Sequence, residues 1–549
     1  MRERLQRVRA VVRLEWLTQR REPLTALYML VFFLLAAAFA AAGPVELVRN
    51  RGSIPRDAAW SIMLSTTALT AFGQVITTMV AATVVLRDRA DRVEDLLRTT
   101  SLRSREYLIG KLLAALGLLC LIYAAIPVGL VVGAAIGGGQ VSHAARAVLA
   151  PYLIMVLPTM LAVGAIQFGL GALGGRLWVI VGQGLLLIWL WNGAVDAATR
   201  DGADLLVLLD PFGTAPLLRA SSAWTDAQRA TLAMPVTAGL VFNRVLWLVV
   251  GLLVAAVAVV RAPDGAQAST RRAGKAARVG AFVSRSGAPS ASPSGVMSPG
   301  TALPAWRAVV AAAAHLLSWM LRDTGWRVLA ALGTLNVAVH VVMDVPRGTP
   351  PKALTTLVVG AVELHARLFL ILLATIYAGE IVWREREDRS AAFFDALPVR
   401  DGDAVAGRIV GLIAAQCALV VIVGGTAALC GVVRSGSMVE FGVLLRSLGE
   451  AVLVPFMTWT VLALAVHVLV QQKVAAHLLC IVGWMGAVWL GDGLAASADR
   501  RHVSWWLVLP FAGALTIVWL GWVRGEQRAP GARCRQVRRR VHARFTRRR

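Results

Sequence analysis

Apolar runs of roughly twenty residues recur along the chain, each long enough to cross a ~30 Å hydrocarbon layer. They fall near 24–42, 58–86, 107–135, 148–172, 177–195 and 239–260, and again near 324–343, 354–382, 405–431, 445–470, 474–495 and 504–523. None alternates apolar and polar residues over about ten positions, as the strands of a lipid-spanning barrel do. The pattern therefore predicts an all-α polytopic membrane protein with about twelve transmembrane helices. Residues 262–303, rich in Ala, Gly, Ser, Pro and Arg and without apolar periodicity, read as a flexible cytoplasmic linker. The linker separates a first six-span domain (1–261) from a second (304–523), and a basic tail (524–549) follows.

The two halves repeat one another. Aligning Asp91-Arg92 with Asp388-Arg389 sets an offset of 297, and the runs beginning near 58/354, 107/405, 148/445 and 177/474 keep nearly that spacing. An even number of spans per half makes these tandem repeats parallel rather than inverted. The sixth pair (239/504) breaks the spacing, because the first half carries an extra outer loop over 196–238.

Charge sets the orientation. Of 549 residues 57% are hydrophobic and 16% charged, and the mean hydropathy is +0.67; soluble domains carry about 25% charge. The net charge of +25 is topological: with the N-terminus inside, about 41 Lys/Arg lie on the inner side and about 14 outside. Both termini are thus expected in the cytoplasm. The tail from Arg524 carries eleven arginines against Glu526, which suits anionic lipid headgroups rather than nucleic acid. AAAFAAAG, ending at Gly43, resembles a signal-peptidase site, but the charged region ahead of the apolar run is too long for a removable signal, so a retained span is expected. The five cysteines show no metal or disulfide spacing.

Two charged segments interrupt the greasy pattern, RDRADRVEDLLRTTSLRSREYLIGK from Arg87 and REREDRSAAFFDALPVRDGDAVAGR from Arg384. At offset 297, Arg87 faces Arg384, Asp88 Glu385, Asp91 Asp388 and Arg92 Arg389; Leu96-Leu97 faces Phe393-Phe394, Arg103 Arg400, Glu106 Asp403, Gly110 Gly407 and Lys111 Arg408. The apolar positions follow helical spacing, which predicts a short helix along the inner membrane surface, ended at Pro398 in the second half. Ser104 and Asp401 take N-cap positions for the next span, Glu106 and Asp403 its first turn. Lys111 and Arg408 are expected to snorkel to the headgroups. Such a segment is either a capped hairpin with positive-inside flanks or a docking surface. The paired acids, which contribute little to topology, favour docking.

Here the sequence resembles the type-2 ABC transporter permeases, six-span domains with a charged coupling helix between the second and third spans. The closer likeness is to double-length bacterial forms, some fused to a zinc aminopeptidase. It is carried also by GEIVWREREDRSAAFFDALPV (379–399), DPFG (210–213) with AWTDAQR (223–229), and FNRVLWL (242–248). No peptidase follows and HExxH is absent. The resemblance implies an exporter permease of the bacterial cytoplasmic membrane, worked by two separate ATPase subunits that bind ATP and magnesium. The coupling residues it implies are Asp91, Arg92, Leu96, Leu97, Arg103, Glu106 and Lys111 in the first half, and Glu385, Asp388, Arg389, Phe393, Phe394, Arg400, Asp403 and Arg408 in the second.

Other candidates lie outside these segments. Asp210, Pro211, Phe212 and Gly213 form either an ordinary turn or part of a gate, and Trp224 before Thr225-Asp226 suits an interfacial anchor ahead of a capped helix. Asn243 and Arg244 are expected to snorkel or cap at the outer boundary. Glu363, His365 and Arg367 fall within an apolar run, where ionisable groups are functional candidates or interfacial markers. Glu363 and His365, two apart, point to different helix faces and make a poor metal pair. The eight histidines show no zinc-ligand spacing. The Gly-Lys pairs precede Leu112 and Ala276, so no P-loop is present and the chain is not expected to be an ATPase or to bind a cofactor directly. An ion-coupled secondary transporter and a membrane scaffold of a protease system are the competing functions.

Overall fold

The computed structural model describes residues 2–42, 54–55, 57–90, 102–174, 177–198, 204–262, 304–387, 401–470 and 472–495. The coupling candidates Asp91, Arg92, Leu96, Leu97, Asp388, Arg389, Phe393, Phe394 and Arg400, the Glu385 side chain, the 504–523 run, the linker and the basic tail lie outside that set. Every regular element among the described residues is helical. Nine helices among them are long and apolar enough to cross a membrane, or ten counting one bent pair. That makes a multi-pass membrane protein. Of the twelve expected spans, 354–382 is the bent pair, 474–495 retains a short apolar stretch, Lys473–Trp484, and 504–523 is not described. The chain divides into two compact units, Met1–Ser292 and Pro293–Arg549.

In the first unit α1 (Arg2–Gln19) precedes the first span, α2 (Pro23–Ala42). Proline suits a helix start, since its missing N–H would have no partner there, and the Thr25 hydroxyl donates to the Gln19 carbonyl at 2.7 Å across the joint. Helices α3 (Ala59–Phe72) and α4 (Gln74–Ala90) meet at Gly73. The threonines along them are satisfied internally: the hydroxyls of Thr66, Thr67, Thr70, Thr77 and Thr78 donate to carbonyls three or four residues back, as hydrocarbon surroundings require. Helices α5 (Ser104–Tyr123) and α6 (Ala125–Ile136) form one span with a joint at Ala124. Pro127 accounts for the joint, because its ring removes the hydrogen bond back to Tyr123.

Small residues set the packing. Gly129 and Gly133 on α6 lie against the Phe33 and Ala37 carbonyls of α2, with no room for a Cβ. This is the small-xxx-small contact by which membrane helices approach closely. Helix α7 (Val141–Pro151) leads through a π-helical turn, Tyr152–Val156, into α8 (Leu157–Gly174). After α9 (Leu177–Ala197) come three short helices, α10 (Asp204–Leu208), α11 (Thr214–Ala220) and α12 (Asp226–Thr231), then the span α13 (Ala238–Val260). The expected extra loop is thus a packed cap: Leu217, Met234 and Leu240 bury against Trp60, Met63, Leu64 and Met155.

The second unit opens with α14 (Ala305–Arg322) and the span α15 (Thr324–Asp344), joined at Asp323, whose carboxylate accepts from the Gly325 N–H at 2.9 Å. Helices α16 (Pro351–His365) and α17 (Arg367–Glu387) meet at a 44° bend. The 35-residue α18 (Asp401–Ser435) follows, then α19 (Phe441–Ser447), a π-helical segment Leu448–Leu453, α20 (Val454–Leu469) and α21 (Lys473–Ala495). Trp319 on α14 stands edge-on to Tyr377 on α17, whose hydroxyl donates to Asp323 at 2.5 Å.

Candidate functional site

Helices α4 and α5 are the two stems of the charged segment 91–103, and a set of ionised side chains joins them. Lys111, on α5, is 1% exposed. Its ammonium lies 2.6 Å from an Asp88 carboxylate oxygen and 3.3 Å from one of Glu15, and donates to the Val84 carbonyl at 2.7 Å. Arg87 donates to both oxygens of Glu15, at 3.1 and 2.9 Å, and lies 3.6 Å from Asp88. The Tyr107 hydroxyl donates to the same Asp88 oxygen. Two cations and two carboxylates close on one another, so the group is electrically balanced where an isolated charge would be very costly. The expected snorkelling of Lys111 is corrected here: its three donors are consumed by Asp88, Glu15 and a backbone carbonyl, leaving the ammonium nothing to gain from the headgroups.

The same stem is braced from outside. Glu106 is buried and accepts from the Arg103 N–H at 3.4 Å and from Arg7 at 3.5 Å. Arg103 is therefore the N-cap residue, not Ser104, and is itself exposed. Gly110 packs its bare backbone against the Val11 side chain and Val8 carbonyl of α1. In the second unit Gly407 meets Ala312 and the Val309 carbonyl of α14 in the same manner, while Asp403 and Arg408 are half-buried. The Arg384 guanidinium lies 4.2 Å from the Trp319 ring centroid, a cation–π contact.

On the other end of the first unit, the DPFG turn and the Asn-Arg pair form one knot. The Asp210 carboxylate accepts from the N–H groups of Phe212 at 2.7 Å and Ala215 at 2.6 Å. Burial pushes the Asp210 carboxyl above its ordinary range, opposed by the Arg244 guanidinium and by these backbone donors. Asn243 donates to the Leu208 and Asp210 carbonyls at 2.6 and 3.0 Å. Arg244 donates to the Asp210 carbonyl at 3.2 Å, to Thr159 on α8 and to Asn243. Asp210 and Asn243 are fully buried, and Arg244 nearly so. Asn243 and Arg244 therefore do not snorkel at the outer boundary: the cap covers them, and the turn's own carbonyls supply their partners. Phe212 packs among Trp191, Leu187, Val163 and Ala71, with Trp191 donating to the Thr214 hydroxyl at 2.9 Å.

No protein-family model matches the chain, and no curated protein matches it. The geometry stands without that support.

Two groups of histidines were illegible in the spacing. His340 and Asp344, one turn apart on α15, meet His365 at the end of α16. The histidines show no zinc-ligand spacing along the chain, yet the fold brings His340 and His365, 25 residues apart, into ring contact. Glu363 is exposed and outside this group, and Arg367 is half-buried just beyond the bend. Within the second unit His467 and His477 are buried, their ring nitrogens 3.4 Å apart, beside a Lys473–Glu380 ion pair at 2.8 Å. Glu15, Tyr107 and Thr159 also escaped the sequence; Glu15 alone left a trace, as an acid set among Val11, Val12, Leu14 and Trp16.

Proposed function

We propose that the chain is the permease subunit of an ATP-driven ABC exporter in a bacterial cytoplasmic membrane, with both termini in the cytoplasm, moved by two separate ATPase subunits. The observation that carries this reading is the Lys111–Asp88–Glu15–Arg87 group, with Lys111 and Glu15 buried at its centre, which fastens together both stems of the charged segment 91–103 and the helix α1. A hairpin intended only as a topological flank has no need of rigid stems. One that receives a push from a motor does, because a lever transmits displacement only when its base does not yield.

The tandem repeat belongs to the same proposal. It is supported by two features at matching registers. The π-helical segments Tyr152–Val156 and Leu448–Leu453 lie about one repeat length apart, each leading into a span; and Gly110 and Gly407, offset by 297, each seat a preceding helix by backbone contact. On this reading the ATPases supply ATP and magnesium, and each docks on one apolar pair, Leu96-Leu97 or Phe393-Phe394. The basic tail rests on anionic headgroups.

Purification of the chain from its native host in mild detergent should bring a P-loop ATPase with it. Replacing Leu96, Leu97, Phe393 and Phe394 by Asp should abolish that association while the chain still inserts in the membrane; retention of the ATPase would overturn the docking assignment. An ion-coupled transporter is the second reading, favoured by the buried His467–His477 pair and the Lys473–Glu380 ion pair. It requires gradient-driven flux by the purified chain alone in vesicles, which the permease reading excludes.

A further inference from the structure

The geometry points to a divalent transition-metal site of the zinc class, formed by His340, Asp344 and His365. One ligand atom from each lies within 4.8 Å of the others. The two imidazoles are stacked, their centroids 3.5 Å apart and their planes within 5°, and His340 Nδ1 stands 3.8 Å from an Asp344 carboxylate oxygen. Two imidazoles and a carboxylate are the ligand chemistry of zinc sites that keep a fourth position open.

The structure around the three residues fits a site rather than chance crowding. Asn336, one turn before His340 on α15, donates its side-chain amide to the His365 carbonyl at 2.9 Å, so α15 fixes the backbone from which the His365 ring projects. That carbonyl belongs to the last residue before the 44° bend. That contact holds the end of α16, and with it His365, against α15. His340 is buried, His365 half-buried and Asp344 exposed, an arrangement with a rigid inner ligand and an open side for the ion to enter. A carboxylate beside the imidazoles offsets half of a dication's charge.

A tetrahedral ion with bonds near 2.0–2.1 Å holds its ligand atoms about 3.3 Å apart. The group therefore closes by up to ~1.5 Å on binding, which side-chain rotation of Asp344 and His365 can supply. Stacked rings direct their lone pairs side by side, so closure also tilts the His365 ring toward the ion. This inference does not depend on the permease reading, and its test uses a different readout.

Full-length protein, purified in detergent with any polyhistidine tag removed, is titrated with Co²⁺. One equivalent should give the intense visible d–d absorption of a four-coordinate site, and Zn²⁺ should bleach it. His340→Gln, His365→Gln and Asp344→Asn should each weaken Co²⁺ and Zn²⁺ binding by at least about tenfold, while His143→Gln and His315→Gln leave it unchanged. Asp344→Asn, at an exposed position, keeps the test valid if a buried histidine variant fails to fold. Weak octahedral absorption only, or equal affinity in wild type and Asp344→Asn, would overturn the site.

Discussion

Gly213 stands directly over the guanidinium of Arg244: a Cβ at residue 213 would lie 2.7 Å from both Cζ and Nη2 of that arginine. Gly213 also has φ of +76°, in the left-handed region. The turn needs glycine for two independent reasons, one in its backbone and one in the side chain beneath it. Gly213→Ala should therefore destabilise the first unit by about 2 kcal/mol or more, from left-handed strain of ~1–2 kcal/mol plus displacement of a pinned arginine. A lowered melting temperature in detergent, by fluorescence from the buried Trp191, would register it; an unchanged midpoint would mean the turn is free to relax.

Arg244 should not tolerate lysine. Its planar fork reaches Thr159, Asn243 and the Asp210 carbonyl together, whereas an ammonium is a point donor at the end of a flexible stem. Arg244→Lys should lower the melting temperature clearly, and Arg244→Met further, by roughly 3 kcal/mol, because Asp210 then stays buried without its counter-charge. Equal midpoints for the lysine variant and wild type would contradict the fork.

In the group that joins α1, α4 and α5, Lys111→Met should cost roughly 3 kcal/mol, since two carboxylates then share Arg87 alone. The double-mutant cycle with Glu15→Gln separates pairing from packing: a coupling energy above about 0.5 kcal/mol is expected for side chains in one network. Additive effects would indicate that Lys111 is held by Asp88 and the Val84 carbonyl without help from Glu15.

Gly379→Ala should disturb the second unit. A Cβ there would stand 2.5 Å from Cε1 and 2.7 Å from Nε2 of His477, and 2.9 Å from Nε2 of His467. Overpacking of this kind costs typically about 1–3 kcal/mol. His477→Ala should relieve it, so that the double variant melts above Gly379→Ala alone; no such rescue would place the clash elsewhere.

The capacity to span a membrane was legible from local sequence, because hydrocarbon thickness acts on single helices and leaves a run of apolar residues as its trace. The charged stems and the DPFG and Asn-Arg stretches stood out for the same reason, as polar residues where lipid or a close-packed interior discourages them. What those polar residues do was not legible. Lys111 reads as a snorkelling flank because sequence shows the length of its side chain but not the Glu15 of another helix that waits for it. Arg244 reads as a boundary residue because the turn that covers it, Asp210 to Gly213, lies more than thirty positions earlier. His365 reads as one ionisable group in an apolar run and His340 as nothing in particular, until the fold sets their rings face to face.

Sequence by itself determined that the chain is helical, which stretches are apolar enough to span a membrane, and where charge interrupts them, since each of these is decided by a residue and its near neighbours. Only the tertiary structure decided which charges neutralise one another, which carbonyls Asn243 and Asn336 satisfy, and which glycines must stay bare. Those depend on distances across separate helices, and a buried polar group is stable only once its particular partner has arrived.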